Sequence, residues 1–172
     1  MKAYLVAATL LVAGAAQAQT ASVTMNAIDA TGVGKAIGTL SLSDTKDGLR
    51  IEPKLEGLTA GDHGFHVHVN PDCGPGAAAD GKPAAGLAAG GHFDPGATGK
   101  HLGPHGDGHK GDLPVLTVGA DGKATGAIVA HQVKLADVKG RSFMIHAGGD
   151  NFADQPAPLG GGGARVACGV LK

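Results

Sequence analysis

Short runs of alternating or mixed apolar and polar residues recur along the chain, and they predict β-strands. Residues 22–28 mix Val, Thr and Met with small polar side chains, and residues 36–42 and 49–55 alternate apolar and polar positions. Glycine and aspartate punctuate the gaps, as is typical of turns. Further runs cover residues 65–69, 115–118, 124–130, 142–146 and 165–171. About eight short strands without an amphipathic helix predict an all-β fold, a sandwich or a flattened barrel.

Two long segments interrupt this pattern. Residues 70–114 and 147–163 are rich in glycine and proline and show no regular periodicity. A loop as long as the first one, inside a compact domain, has to be held by something other than a backbone ladder. A metal ion and a disulfide are the candidates that the sequence offers.

The N-terminus has the features of a secretory signal peptide. Lys2 is followed by an apolar stretch too short to span a bilayer, and Ala16-Gln17-Ala18 fits the small-x-small cleavage rule. We therefore predict a signal peptide at residues 1–18 and one exported, periplasmic domain at residues 19–172. No cysteine lies near the cleavage point, so no lipid anchor is expected. A buried N-terminal helix is the alternative, but it would not need this cleavage pattern.

Charge and composition narrow the classes of partner. The formal net charge is −1, and about −2 once the signal peptide is removed, which gives no reason to expect nucleic acid or an acidic surface as a partner. Glycine is abundant, at 31 residues, whereas aromatic residues make up only 3%. The core is therefore expected to consist of Val, Leu, Ile and Ala, between many turns.

The two cysteines are best interpreted in the light of export. Cys73 follows the strand at residues 65–69, and Cys168 lies close to the C-terminus. In an oxidising compartment, an even number of cysteines far apart in sequence favours one intramolecular disulfide. Two free buried thiols or thiolate metal ligands are the alternatives, although the chain has no CxxC motif.

Histidines on two predicted strands form the first candidate metal set. His66 and His68 are two residues apart on a strand, so their side chains point to the same face. His146 ends another predicted strand. Together they offer nitrogen-only ligation of the kind that copper accepts.

A second candidate set lies in the first long segment. His92, His101 and His109 are followed by Asp112, three positions after His109. Three nitrogens and one carboxylate oxygen suit a closed tetrahedral zinc site. The alternative, unrelated surface or core histidines, would require all of these positions to coincide with strand and loop geometry by accident.

The chain resembles the exported bacterial copper,zinc superoxide dismutases over nearly all of residues 19–172. The resemblance rests on seven motifs in this order: GFHVH at 64–68, GGHFDP at 90–95, KHLGP at 100–104, GHKGDLP at 108–114, MIHAGGDN at 144–151, PLGGGG at 158–163 and ACGV at 167–170. It implies a Greek-key β-sandwich, or flattened eight-stranded barrel, with two long functional loops. It also implies one copper and one zinc ion per subunit.

The resemblance implies a role for each candidate ligand. Copper is expected on His66, His68, His92 and His146, and zinc on His92, His101, His109 and Asp112. His92 would then bridge the two metals through its two ring nitrogens. Asp150 matches the family carboxylate that links a copper histidine to a zinc histidine, with an ordinary loop-turn aspartate as the alternative.

The implied reaction is the dismutation of superoxide to O2 and hydrogen peroxide, in which His92 carries a proton. Arg165 matches the family arginine at the copper mouth, where a permanent cation attracts the anionic substrate; a surface arginine on an edge strand is the alternative. Lys82 is a second, weaker candidate for the same attraction. The family contains monomers and dimers, so a homodimer is one of two alternatives.

Three histidines are left over. His105 lies four residues from both His101 and His109 and is therefore a rival zinc ligand; His101 is preferred because of its KHLGP context. His63 is interpreted as a structural histidine that bonds to backbone, and His131 as a surface residue at a strand end. Gly160 to Gly163 lack the Lys-Ser/Thr ending of a phosphate loop, and close backbone approach is the better interpretation.

Two other functions are compatible with parts of the pattern. A non-catalytic copper- and zinc-binding or buffering protein of the periplasm would keep the ligands without fast turnover. A disulfide-linked adhesion sandwich would need no metal at all. The presence of His146, Asp150 and Arg165 together favours the enzyme.

Overall fold

A computed structural model describes residues 19–172, and the predicted signal peptide lies outside the described residues. Eleven strands and one short helix make up most of the regular structure. In chain order they are β1 (Thr20–Asp29), β2 (Gly32–Thr45), β3 (Gly48–Leu55), β4 (Gly61–His63), β5 (Phe65–His68), β6 (Gly76–Ala77), β7 (Pro83–Ala84), β8 (Leu116–Val118), β9 (Ile128–Ala130), α1 (Leu135–Val138), β10 (Arg141–His146) and β11 (Arg165–Leu171).

Seven strands form one antiparallel sheet in the order β5, β10, β11, β1, β2, β3, β9. The sheet curls into a half-barrel. β4 pairs with β8, and β6 pairs with β7, as two small additional ladders. The prediction of an all-β sandwich or flattened barrel is confirmed.

The buried positions explain why these segments form strands. In β3, Leu49, Ile51 and Leu55 are buried and alternate with more exposed side chains, as expected for a strand with one face on the core. β10 lies between β5 and β11, and its residues 142–146 are all buried. Phe65 and Phe143 pack against each other there, with ring centroids 6.0 Å apart. β5 and β10, which carry three of the candidate ligands, are thus fixed in the core.

Several elements differ from the predicted ones. Only the end of the predicted strand 124–130 is regular, as β9, while Ala124 makes a single bridge to Leu55. The one-turn helix α1 was not predicted because it is too short to show a 3.6-residue period. Its start is fixed by hydrogen bonds from the Lys134 N–H to Asp137 and from the Leu135 N–H to Asp44, each 2.8 Å. No helix within residues 19–172 is long and apolar enough to cross a membrane.

Backbone hydrogen bonds hold the long segment 70–114 against β5. The Val67 N–H donates to the Gly111 carbonyl at 2.9 Å, and the Phe93 N–H donates to the Val67 carbonyl at 2.8 Å. Single β-bridges join His66 to Asp112 and His68 to His92. The expectation that a metal and a disulfide, and not a backbone ladder, would hold this segment was therefore incomplete, because residues 91–93 and 111–113 also bond to the backbone of β5.

The disulfide between Cys73 and Cys168 is present, which confirms the predicted pairing. It joins the start of the long segment to β11 across 95 residues of sequence. Both cysteines are buried beside Ile28, Ala89 and Met144. The alternatives of free thiols and thiolate metal ligands are excluded.

Candidate metal centre

Strand geometry brings the first candidate set together. β5 presents His66 and His68 on one face, and β10 ends at His146 directly beside them. The bridge between His68 and His92 places the fourth histidine on the same side. One ligand atom from each of these four buried residues lies within 4.8 Å of the others.

A second group of ligand atoms within 4.8 Å of one another belongs to His66, His92, His101 and Asp112. It shares both His66 and His92 with the first group. The shared His92 agrees with the expected bridging histidine, but His66 appears where the sequence predicts His109. His109 lies at the border of this group, with Nδ1 at 3.4 Å from Asp112 Oδ1. Its ring centroid is 5.3 Å from that of His92, the same separation as between His92 and His101.

Seven buried side-chain atoms of these residues have no hydrogen-bond partner. They are His66 Nδ1, His68 Nε2, His92 Nε2, His101 Nδ1, His109 Nδ1, Asp112 Oδ2 and His146 Nε2. A buried polar atom without a hydrogen-bond partner is costly, so such a cluster is the arrangement expected of metal-binding atoms. Each of the seven predicted metal ligands contributes one of these atoms, and the donor set therefore fits copper and zinc.

The second nitrogen of several rings is held by a hydrogen bond. His68 Nδ1–H donates to the Gly90 carbonyl at 2.9 Å, and His146 Nδ1–H donates to the Gly163 carbonyl at 3.2 Å. Because a carbonyl can only accept, these contacts keep the proton on Nδ1 and leave the lone pair on Nε2. This is the usual orientation of a histidine that ligates a metal.

Asp112 lies among the nitrogens of the second group. Its Oδ1 is 2.9 Å from His92 Nδ1, and its Oδ2 is 2.9 Å from His101 Nδ1. The second of these pairs is close but not aligned as a hydrogen bond, since both atoms remain without a partner. A nitrogen and an oxygen that converge without bonding each other have the arrangement expected of two ligands of one cation.

The Asp150 carboxylate connects the two groups of candidate ligands. Its Oδ2 is 2.7 Å from His66 Nε2, and its Oδ1 is 2.8 Å from His101 Nε2. The Phe152 N–H donates to Oδ1 at 2.7 Å. The carboxylate is thus placed to orient one histidine of each group, in the way that outer carboxylates orient metal ligands.

Burial keeps His68, His92 and His146 neutral, the histidines that are expected on the copper side. It lowers the pKa of His92 to about 4 and that of His146 to about 3. Burial, together with the positive charge of Arg165, also holds the pKa of His68 well below its ordinary value. At neutral pH these rings therefore carry the free lone pair that metal binding requires.

His101, Asp112 and Asp150, on the side where zinc is expected, have pKa values that favour their charged forms. Burial acts to lower the pKa of His101, but the carboxylates of Asp112 and Asp150 outweigh it and raise the pKa to about 9. Burial acts to raise the pKa of each carboxyl group, but the closeness of His101 and of a second histidine holds the pKa of Asp112 and of Asp150 well below the usual range. Two buried carboxylates thus retain negative charge where a cation is expected.

Arg165 lies next to the copper-side histidines. Its guanidinium donates to the Gly86 carbonyl at 2.6 Å and to the Gly90 carbonyl at 2.8 Å, and the side chain remains partly exposed. The Gly90 carbonyl also accepts the proton of His68 Nδ1. Arg165 and His68 therefore share one acceptor, which fixes a permanent positive charge beside the candidate copper ligands.

One contributor to the site was missed from the sequence, and another was predicted only in general terms. Asp154 Oδ2 accepts the backbone N–H of His101 at 3.0 Å and so anchors the loop that carries this ligand. Gly160 has a φ of +75°, and a Cβ there would overlap the Asp150 carboxylate and the His101 ring. Close backbone approach was expected in the glycine run at residues 160–163, whereas nothing in the sequence singled out Asp154.

Other residues singled out in the sequence lie apart from the two groups. His63 is buried, with Nδ1 at 2.6 Å from the His146 carbonyl and Nε2 at 2.8 Å from the Thr59 carbonyl, in agreement with a structural role. Lys82 is exposed and 3.6 Å from Asp80. His105 belongs to neither group within residues 19–172, and its ring instead faces His131.

Comparisons with known proteins agree with this arrangement. The family model described as "Copper/zinc superoxide dismutase" matches residues 36–171. The copper-zinc superoxide dismutase of Brucella abortus is 53% identical over 174 aligned positions, which cover 100% of both chains. A solved structure of the B. abortus enzyme has a TM-score of 0.87 at 54% identity and covers 90% of this chain and 100% of that one. The monomeric copper, zinc superoxide dismutase of Salmonella enterica has a TM-score of 0.80 at 52% identity, with coverage of 90% and 100%.

Proposed function

This chain belongs to the copper/zinc superoxide dismutase family, and we propose the role of each residue at its metal centre. The protein is an oxidoreductase that converts superoxide to O2 and hydrogen peroxide, with copper and zinc as cofactors. The observation that supports the residue assignment best is the set of seven buried, unpartnered atoms, one from each proposed ligand. Six of these residues form the two groups of close ligand atoms, which share His66 and His92.

We assign copper to the side of the centre formed by β5 and β10. The ligand atoms are His66 Nδ1, His68 Nε2, His92 Nε2 and His146 Nε2. These are the buried nitrogens without a hydrogen bond on that side. Four imidazole nitrogens form a donor set that copper accepts.

Zinc is assigned to His92, His101, His109 and Asp112. His109 takes precedence over His66 because Nε2 of His66 is bonded to Asp150, which leaves only Nδ1, the atom used on the copper side. His109 has its own buried Nδ1 without a partner. Three nitrogens and one carboxylate oxygen then complete a closed zinc site.

Bound copper supplies the one-electron redox chemistry, and bound zinc contributes charge at the shared ring. The protein's own residues position the reactants and protons. Nε2 of His92 has one lone pair, so it would hold a proton only while it is released from copper, and it would then pass that proton to the peroxide product. Arg165 attracts the superoxide anion towards the site, and Asp150 orients His66 and His101.

Non-catalytic copper and zinc buffering is not favoured, because the relatives at about 53% identity are named as superoxide dismutases. The decisive measurement is superoxide decay per bound copper in the wild type and in His68→Ala, both loaded with copper and zinc. We expect His68→Ala to lose turnover while it keeps its fold and its zinc, since His68 contributes only to the copper side. Retained turnover in this variant would contradict the assignment.

We also propose that residues 1–18 are removed as a signal peptide and that residues 19–172 act in the periplasm. The small-x-small motif at residues 16–18 and the bacterial origin of the relatives support this location. N-terminal sequencing of protein from a periplasmic fraction should begin at Gln19.

The S. enterica relative is described as monomeric. Light scattering on the purified protein would distinguish a monomer from the alternative homodimer.

A further inference from the structure

Two exposed histidines form a pair outside the metal centre. Of the nine histidines in the chain, seven are buried, and the exposed ones are His105 and His131. They come from different parts of the fold, the long segment 70–114 and the turn that follows β9. Their ring centroids are nevertheless 5.3 Å apart, with an angle of 35° between the ring planes.

This separation is the one found between candidate metal ligands of the same chain. Ring centroids are 5.3 Å apart for His92 and His101 and also for His92 and His109. On the copper side, the separations range from 3.9 Å to 6.3 Å. The spacing of His105 and His131 therefore lies inside the range of ring separations between the candidate metal ligands of this protein.

His131 is oriented as a ligand would be. Its Nδ1 is 2.8 Å from the backbone carbonyl of Asp47. Because the carbonyl can only accept, Nδ1 carries the proton, and the neutral ring has its lone pair on Nε2. A hydrogen bond from one ring nitrogen to a backbone carbonyl is the arrangement that commonly fixes a metal-binding histidine.

The backbone on both sides of His105 is anchored to the residue next to His131. The side-chain amide of Gln132 donates to the Pro104 carbonyl at 3.3 Å and to the Gly106 carbonyl at 2.8 Å. These carbonyls flank His105 in sequence. The same contact that fixes the loop therefore fixes the distance between the two histidines.

We propose that His105 and His131 form a surface site for one divalent transition-metal ion, separate from the copper and zinc centre. Two imidazole nitrogens select ions such as Zn²⁺, Ni²⁺ and Cu²⁺ over Mg²⁺ and Ca²⁺, which prefer oxygen ligands. Water completes the coordination at this exposed position. The bound ion cross-links the loop that carries His101 and His109 to the turn after β9.

The test is Zn²⁺ titration by calorimetry of protein whose copper and zinc sites are already filled. The variants are His105→Gln, His131→Gln and the double variant, with Asp107→Asn as the matched control, an exposed acidic residue two positions from His105. Circular dichroism and superoxide turnover should be unchanged in all of them, which shows that the fold and the metal centre are intact.

We expect one additional Zn²⁺ per chain in the wild type and in Asp107→Asn. Each single histidine variant should bind Zn²⁺ at least about tenfold more weakly than the wild type, because the one remaining imidazole cannot chelate the ion. The double variant should bind Zn²⁺ no more weakly than either single variant. The proposal is wrong if the wild type binds no additional Zn²⁺ or if the single variants bind as the wild type does. Additive losses in the double variant would indicate two independent sites and would also overturn it.

Discussion

His66 and Asp150 are joined by a hydrogen bond of 2.7 Å between Nε2 and Oδ2, and both side chains are almost completely buried. The remaining carboxylate oxygen of Asp150 lies 2.8 Å from His101 Nε2. A single carboxylate therefore touches one residue proposed to bind copper and one proposed to bind zinc. The orientation of the two rings is coupled through it.

Replacing Asp150 with Asn should weaken zinc binding more than copper binding. The amide can accept from only one of the two histidines, and His101 loses the negative charge that polarises it. We expect zinc affinity to fall by about 10- to 100-fold, the usual effect of removing such an orienting group. Chelator competition on the copper- and zinc-loaded protein measures the zinc affinity. Asp121→Asn, at an exposed turn, is the control, and equal zinc retention in both variants would contradict the assigned role.

Arg165→Ala should slow turnover at low ionic strength by about tenfold and make the rate less sensitive to salt. The reason is the loss of a fixed positive charge that attracts an anionic substrate, an effect that salt screens. Steady-state rates per bound copper at several salt concentrations provide the measurement. Arg165→Lys should retain part of the rate, since it keeps the charge but not both bonds to the Gly86 and Gly90 carbonyls.

Lys82→Gln is the matched control for Arg165. Lys82 is exposed and lies beside Asp80 at 3.6 Å, so its charge is partly compensated. We expect the rate and its salt dependence to change little. A loss as large as that of Arg165→Ala would show that the attraction is spread over the loop and does not come mainly from Arg165.

The stability of the metal-free protein should be greatest near pH 6.5 and decline on both sides. His101 has a folded-state pKa raised from 6.5 to about 9, so its contribution is complete below pH 6.5 and is lost as the pH rises through about 9. His92 and His146 have folded-state pKa values lowered to about 4 and about 3, so protonation favours the unfolded chain as the pH falls below 6.5.

Each of these titrations changes the unfolding free energy by up to about 1.4 kcal/mol per pH unit. Urea unfolding of the metal-free protein at a series of pH values measures the profile. The zinc-loaded protein is the comparison, and it should lack the alkaline decline because the metal replaces the proton of His101. A metal-free profile that rises steadily up to pH 9 would contradict the prediction.

Reduction of the Cys73–Cys168 disulfide should loosen residues 74–90 before the sheet. The bond closes a loop of 95 residues, for which the constraint on the unfolded chain is about 4 to 5 kcal/mol at most. Hydrogen exchange should accelerate in peptides from residues 74–85, with less change near Gly86 and Gly90, which Arg165 still holds. Peptides from β3 are the internal control. Equal acceleration in both regions would show that the bond does not act locally.

Strands and their buried faces were predictable from the sequence where every second side chain packs on the core. Leu49, Ile51 and Leu55 show this alternation and are buried in β3. The same two-residue period placed His66 and His68 on one face, and their ligand atoms do lie within 4.8 Å of each other. Local periodicity was sufficient at these positions because the sheet itself determines the direction of each side chain.

Spacing could not identify the second group of ligands. His101, His105 and His109 are separated by four residues each, and nothing local distinguishes them. The choice depends on contacts distant in sequence, since Asp154 binds the His101 backbone from 53 residues away. The pairing of His105 with His131 was hidden for the same reason. Helix α1 was missed because one turn leaves no detectable period.

β5 is an end strand of the seven-stranded sheet, and its outer edge is covered by the loop segments that carry the metal ligands. Carbonyls of Gly91 and Gly111 accept from the Val69 and Val67 N–H groups, and the Phe93 N–H occupies the Val67 carbonyl. An uncovered strand edge is a template for pairing with another chain. Chains that lose their metals and the Cys73–Cys168 bond would expose that edge. The loop segments that carry the metal ligands therefore also protect the protein against aggregation.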